Sequence, residues 1–403
     1  MDLPSSLCRD ISPPRASKRR KTSEAPDKPS QSESSYDAGD YPTLAAVEAG
    51  RVKIDDHLTY FKHRLTSVSR NKLKGVPRLS IDDFATLCKS NRHQHGHHFV
   101  IHQHNHPRAG VHYDLRLQFS ASSSVSWAFP KGLPGNPNSR QLGRMAIETR
   151  VHNLWNNLIE SASMKTGSLL IWDIGTYSVL PSKKSQTEMP SSQTTDDEFE
   201  ADKDVVREPR YDNDKLIEAF QSRHIRLRLH GTRLPKDYTI TLRLLSNNDN
   251  LPHRPAIRRR RNRHVARNKP RSHTSDSDSA PIASKDVNDD HDNQVDDLDT
   301  DLEEDSLIRA QNAYPGSTNS IGSVHQRRWF VLLDRPNSGF EQNGAKWARR
   351  LLPDGGLGGF DSFVVRGRDH ERSVVTGRLA REVESDEGCV GYIGRGGWKS
   401  IED

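Results

Sequence analysis

The chain has 403 residues, of which 32% are hydrophobic and 28% are charged, so it is long enough for two or three domains but too polar to be packed throughout. Its formal net charge of +6 favours polyanionic partners such as nucleic acids. Cys8, Cys88 and Cys389 are far apart and form no CxxC pair, which excludes the pattern of a disulfide framework or a structural zinc site. No apolar run reaches the length of a membrane span, so we expect an intracellular protein without a membrane partner.

Residues 1–53 are rich in Ser, Pro, Asp and Lys and lack a periodic apolar pattern, which predicts a disordered leader. Within it, the basic run from Pro13 to Lys21 is typical of a nuclear-import signal, with a solvated charge run as the alternative. We therefore expect a nuclear location, with the cytoplasm as a second compartment.

The region from 54 to 334 is predicted to be one mainly β domain flanked by a few helices. Acidic residues suited to a first helical turn occur in Asp56–Phe61 and Ile81–Leu87. Many short apolar runs separated by turn residues predict a closed or nearly closed β structure. These runs are Phe99–His104, Val111–Phe119, Val125–Gly132, Gly143–Thr149, Leu169–Tyr177, Ile225–Leu234, Tyr238–Leu244 and Trp329–Leu333.

Two polar stretches, 182–204 and 253–326, interrupt this domain and are predicted to be low-complexity surface insertions. The second contains a basic block, Arg258–Arg263, that is suited to non-specific phosphate contact. Residues 335–403 are predicted to form a basic, Gly- and Arg-containing C-terminal extension, in which Ala345–Leu352 has the composition of a short basic helix.

The most informative stretch is Phe99–Gln118, which reads as a β-hairpin around the turn Pro107–Gly110. A period of two places His112, Asp114 and Arg116 on one face of the second strand, and the intervening apolar residues on the other. If His104 pairs with His112, then His102 lies opposite Asp114, and the polar residues of both strands share a face.

Neutral imidazoles and one carboxylate, with open positions for substrate oxygens, suit Mn²⁺, Fe²⁺ or Zn²⁺ better than Ca²⁺ or Mg²⁺. An arginine two residues beyond the aspartate adds a planar donor fork suited to a phosphate. A surface histidine-rich run is the alternative, because several other histidines crowd the same region.

The order of these motifs resembles the 3′-phosphoesterase module of bacterial DNA ligase D. The similarity lies in His104 followed by His112–Leu117, then Ser126–Gly132, then Arg144 eight residues before His152, then Trp172–Thr176, and more weakly in Leu229–Leu234 and Trp329–Leu333. It implies a small closed β-barrel that uses Mn²⁺ to remove a 3′-ribonucleoside, and then the 3′-phosphate, from DNA ends such as a primer-template. No ligase or polymerase motif accompanies the module, so a separate ligase or polymerase is the expected partner. We expect a monomer.

Carried over residue by residue, the resemblance implies that His104, His112 and Asp114 hold the metal. It implies that Arg116, Arg144 and His152 act on the scissile phosphate, with Ser126 and Lys131 as further phosphate contacts.

Three departures distinguish this chain from the bacterial pattern. The loop after His104 is two residues longer, which makes His106 an alternative ligand. The family's Thr-Glu-Asp-His-Pro is Thr149–Asn153 here, without either acid, and the tyrosine four residues after the histidine is Asn156. These losses bear most directly on the phosphomonoesterase step.

Two other functions fit part of the sequence. His112, Asp114 and a distal His152 have the form of the ligand set of Fe(II) oxygenases. A non-catalytic protein that binds nucleic-acid ends on the same scaffold is the other alternative.

Overall fold

The computed structural model describes residues 52–181, 210–245 and 310–401, together with Leu44, Val47 and Ile308. The basic run at 13–21, the insertion predicted at 182–204 and most of that predicted at 253–326 lie outside the described residues.

The described part of the chain forms twelve strands and four α-helices. The strands are β1 (His98–His106), β2 (Gly110–Gln118), β3 (Ser123–Phe129), β4 (Gly143–Glu148), β5 (His152–Asn153), β6 (Ser161–Ser163), β7 (Gly167–Val179), β8 (His224–Gly231), β9 (Thr239–Leu244), β10 (Arg328–Leu333), β11 (Phe340–Asn343) and β12 (Lys346–Arg349). The helices are α1 (His57–Val68), α2 (Ile81–Asn91), α3 (Asp212–Gln221) and α4 (Ala380–Asp386). None of these helices is long and apolar enough to cross a membrane.

Eight antiparallel strands close into a barrel in the order β1-β2-β3-β4-β10-β9-β8-β7, and β7 pairs again with β1. The short strands β5 and β6 extend this sheet by pairing with β3 and β7. The prediction of a mainly β fold with a closed barrel and a few helices is confirmed.

The barrel interior holds the alternate apolar side chains that the period of two predicts. Tyr113, Leu115 and Leu117 of β2 point into it, where Trp127 and Trp329 pack edge to face at 5.7 Å. Burial of these large side chains supplies the main driving force for closing the barrel.

A second apolar cluster covers the outer face of β1 and β7. Val100 and Ile174 pack there against Phe61 of α1 and Phe84 of α2. Both helices begin at a side-chain cap, since Asp56 accepts from the Thr59 N–H and Ser80 accepts from the Asp83 N–H. Because they pack on Val100 and Ile174, the two helices cover one end of the outer face on which the polar residues of the hairpin lie.

The C-terminal residues pack on the barrel rather than extending from it. Arg378 and Glu160 form a buried ion pair at 2.9 Å, and the Tyr113 hydroxyl donates to Glu371 at 2.6 Å. The helix predicted at Ala345–Leu352 is wrong, because β12 pairs with β11 as a hairpin. Near the end of the second predicted insertion, the Gln326 N–H donates to the Glu148 carbonyl, so this part of the chain also lies against the barrel.

Candidate metal and phosphate site

The site lies on the outer face of the β1-β2 hairpin. In the register of the two strands His104 pairs with His112 and His102 pairs with Asp114, as the sequence predicts. A positive φ of 80° at Gly110 closes the turn, which is a conformation that glycine adopts without strain. Alternation then directs the apolar residues of β2 inward and its polar residues outward.

His104, His112 and Asp114 form a compact group of potential metal ligands. One ligand atom from each residue lies within 4.8 Å of the other two. His104 Nδ1 is 3.3 Å from Asp114 Oδ2, and His112 Nε2 is 3.4 Å from Asp114 Oδ1. Asp114 Oδ1 is buried and accepts no hydrogen bond, so a cation would satisfy an oxygen that the protein leaves unpaired.

Backbone carbonyls orient both imidazoles. The His112 ring bonds through Nδ1 to the Gly110 carbonyl at 3.0 Å, and the His104 ring bonds through Nε2 to the Thr166 carbonyl at 2.9 Å. Each carbonyl requires a proton on the nitrogen it contacts, which leaves His112 Nε2 and His104 Nδ1 as lone-pair donors facing Asp114. This is the arrangement in which metal-binding histidines are usually held.

The protonation states also suit a metal. Burial lowers the pKa of His112 to about 4, despite the opposing charge of Asp114. Burial alone would raise the pKa of the Asp114 carboxyl, but His112, His104 and Arg116 together hold it well below its usual range. At neutral pH His112 is therefore neutral and Asp114 is ionised, as metal coordination requires.

The alternative ligand His106 is used differently. Its Nδ1 accepts the backbone N–H groups of Arg108 at 3.2 Å and Ala109 at 3.0 Å, so its ring closes the turn. The ring proton then resides on Nε2, and no lone pair remains for a metal. Of the two histidines before the turn, the geometry selects His104.

Arg116, Ser126 and His152 lie next to this group. Arg116 pairs with Ser126 across β2 and β3, and its guanidinium lies 4.0 Å from Asp114 and donates to the Asn156 carbonyl at 3.0 Å. His152 pairs with Ser124, the residue of β3 two positions before Ser126 and on the same outer face. Burial and the Arg116 charge lower the pKa of His152 well below its usual value, so its imidazole is neutral at physiological pH.

Two predicted phosphate contacts lie elsewhere. Arg144 pairs with Val331 and shares a strand face with Ala146, so it points toward the barrel interior rather than the outer face. Lys131 lines the same small cavity as Arg144, and its Nζ lies 3.4 Å from the Lys399 carbonyl. The structure does not bring either residue together with the metal-ligand group.

Sequence reasoning missed the two carbonyls that support the histidines, but it placed His102 opposite Asp114. The Thr166 and Gly110 carbonyls carry no signal in residue type, because every residue has a carbonyl. His102 is fully buried and bonds through Nε2 to the Ile159 carbonyl at 3.2 Å. Its position opposite Asp114 is readable from strand alternation.

The ligand set predicted for an Fe(II) oxygenase consists of His112, Asp114 and His152, and the structure does not group these three residues together. Among the described residues, the group with His112 and Asp114 contains His104 and not His152. His152 instead stacks near Tyr314, with ring centroids 4.6 Å apart.

Comparison with protein families gives one match. Residues 102–242 match the family described as the DNA ligase D 3′-phosphoesterase domain. The matched residues run from His102, within β1, to Leu242, within β9, and include all three candidate ligands. No curated protein matches the sequence at a significant level.

Proposed function

From the premise that residues 102–242 form a DNA ligase D 3′-phosphoesterase domain, we propose that the chain is a metal-dependent hydrolase of DNA 3′ ends. It removes a terminal 3′-ribonucleoside, which leaves a 3′-phosphate, or a terminal 3′-phosphate, which leaves a 3′-hydroxyl, or both in turn. The observation that carries the proposal is the pair of imidazoles, each oriented by a backbone carbonyl toward one buried carboxylate, with an arginine fork beside them.

His104 Nδ1, His112 Nε2 and one Asp114 oxygen would hold the metal. Two nitrogens and one oxygen favour a transition metal over Mg²⁺ or Ca²⁺, and we propose Mn²⁺. The chemistry that such an ion supplies when bound is Lewis-acid neutralisation of a phosphoryl oxygen and activation of water.

Arg116 would bind the scissile phosphate. Its guanidinium is held by the Asn156 carbonyl and by the charge of Asp114, so its remaining N–H groups are oriented before substrate arrives. Charge grows on the phosphoryl oxygens as the transition state forms, and a preorganised donor stabilises that charge without further reorganisation.

His152 would act first as general base and then as general acid. Its neutral imidazole can receive a proton from the attacking water and return one to the leaving oxygen. Water adds to phosphorus, and the bond from phosphorus to the leaving oxygen breaks. From an end with a 3′-ribonucleotide, the nucleoside leaves as an alcohol. From a 3′-phosphate, the strand leaves with its 3′-hydroxyl.

The cellular setting is part of the proposal. The 3′-hydroxyl is the end that a ligase or polymerase requires, so we propose that the protein acts in DNA repair upstream of a separate joining or synthesis enzyme. The basic run at Pro13–Lys21 supports a nuclear location.

The test is incubation of the full chain with a labelled primer-template ending in a 3′-ribonucleotide or a 3′-phosphate, with Mn²⁺ or with chelator. We expect a product that requires Mn²⁺ and disappears in His112→Ala and Asp114→Ala. Arg116→Gln should lower kcat about 100-fold, the usual cost of removing one charge-stabilising donor. His106→Ala, a histidine of the same hairpin whose Nδ1 accepts the N–H groups of the turn, is the matched control and should retain activity.

Absence of product from both ends by the folded wild-type protein would contradict the proposal. DNA-end binding that survives His112→Ala and Asp114→Ala would then indicate a binding protein on a phosphoesterase scaffold.

A further inference from the structure

A pocket of about 270 Å³ opens between the two N-terminal helices and the residues that follow His152. Helices α1 and α2 form one wall, and the chain that follows His152 forms the other. We call it the α-pocket, and the residues that matter for its chemistry are His57, Arg92, His98, Asn153 and Trp155.

The α-pocket lies next to the segment that carries the phosphate side of the candidate site. Its lining residue Asn153 follows His152, and Trp155 precedes Asn156, whose carbonyl holds Arg116. On β1, His98 lies four residues before His102, which is about 13 Å along a strand. That distance is comparable to the length of one nucleotide from its phosphate to the far edge of its base.

His98 presents an unsatisfied hydrogen-bond donor at the α-pocket. Its side chain is only 1% exposed, and its Nδ1 is 3.4 Å from the amide nitrogen of Asn157. An amide nitrogen is a donor, so Nδ1 accepts and the ring proton resides on Nε2. His98 Nε2 is buried and has no partner in the structure, and a buried donor of this kind is stabilised by a ligand that carries an acceptor.

Aromatic side chains of this wall are arranged for stacking. The Trp155 indole lies parallel to the His57 ring at 5.0 Å and an interplanar angle of 18°, with Phe61 parallel beyond at 6.3 Å. Trp155 is half-buried, so its ring also contributes to the pocket surface. A flat heteroaromatic ring with one edge acceptor complements both the stacked rings and the His98 donor.

We propose that the α-pocket binds the nucleobase of the terminal nucleoside that is cleaved from the DNA 3′ end. This inference rests on the proposed function for the position of the scissile phosphate, but the binding of a base does not depend on turnover. A phosphate alone would leave the stacked rings unused, and an aliphatic ligand would leave the His98 donor unpaired. The pocket volume admits one base and its ribose rather than a second nucleotide.

The first test compares the two kinds of DNA end, because a strand that ends in a 3′-phosphate has no base beyond the scissile bond. Trp155→Ala should lower kcat/KM for removal of a 3′-ribonucleoside about 5- to 100-fold, the range expected for loss of one base-stacking contact. Its activity on the 3′-phosphate should stay within about 2-fold of wild type. Trp347→Ala, the same substitution on β12, is the matched control and should change neither rate. Equal loss on both ends would overturn the assignment of the terminal base.

The second test measures binding without catalysis. Ligand-observed NMR with adenosine 5′-monophosphate, in chelator, should show contact with the wild-type protein. Ala121→Trp, which places a bulky ring at the exposed rim of the α-pocket, should abolish it, and His98→Phe should weaken it. No contact with wild type would overturn the inference even if DNA ends are processed. Contact without any processing would support the pocket and contradict the proposed function.

Discussion

His104 and His106 should have separable effects, because one ring faces the candidate metal ligands and the other closes a turn. His104→Ala removes one of three ligands, so metal affinity should fall by more than the roughly 10- to 100-fold that loss of a supporting partner costs. His106→Ala removes a ring nitrogen that accepts two backbone N–H groups. At about 1 kcal/mol for each hydrogen bond, it should lower the free energy of unfolding by about 2 kcal/mol and leave metal affinity nearly unchanged.

Both quantities can be measured on the same three proteins. Titration of the metal-free chain with Mn²⁺, followed by the loss of the free-ion EPR signal, gives the dissociation constant, and urea unfolding in chelator gives the stability. The assignment is refuted if His106→Ala loses the metal while His104→Ala keeps it. It is also refuted if the two variants lose affinity equally, since that would make the extra histidine of the longer loop a shared ligand.

Three further perturbations test the support of the site. Gly167→Ala should displace the carbonyl behind His104 and lower activity, because φ is 81° and a Cβ there would collide with the Asn105 carbonyl; a rate unchanged from wild type would contradict this. Glu160→Gln should cost about 3 kcal/mol of unfolding free energy, because it removes the fully buried partner of the Arg378 guanidinium and leaves it only the ion pair with Asp386, and urea denaturation would measure it. Burial lowers the pKa of His98 to about 3 in the folded chain. Below the ordinary histidine pKa of about 6.5, the unfolded chain therefore binds a proton at His98 that the folded chain does not, and stability falls as the pH falls. Between about pH 7 and about pH 5 this group should cost about 2 kcal/mol, and His98→Phe should remove that part of the pH dependence in urea unfolding.

The departures from the bacterial pattern are partly compensated by the backbone. Asn156 replaces a tyrosine, but its carbonyl still binds Arg116. The Thr166 carbonyl holds His104 in the same way. Arg150, which replaces an acid, is buried and lowers the pKa of His152 further, so the proposed proton-transfer step is where this chain should depart most from the bacterial pattern.

The hairpin could be predicted from the sequence because a strand repeats every two residues, and that period alone sorts His112, Asp114 and Arg116 from the apolar residues between them. The short Pro-Arg-Ala-Gly turn then fixes the register and places His104 opposite His112. The barrel and its helices follow from the same local signals, namely apolar alternation for strands and acidic first turns for helices.

The tertiary structure decided what depends on partners distant in sequence. The sequence of β4 places the apolar Met145 and Ile147 on the face opposite Arg144, so alternation alone would direct Arg144 outward, whereas the structure buries Arg144 and leaves Met145 half-buried. The Ala345–Leu352 stretch has the composition of a helix, but pairing with β11 satisfies its backbone instead. His104 was distinguished from His106 by the carbonyl of Thr166, which the turn between β6 and β7 brings to its ring, and by the N–H groups that occupy His106 Nδ1. Local sequence specifies which side chains can bind a metal, and long-range packing specifies which of them face it.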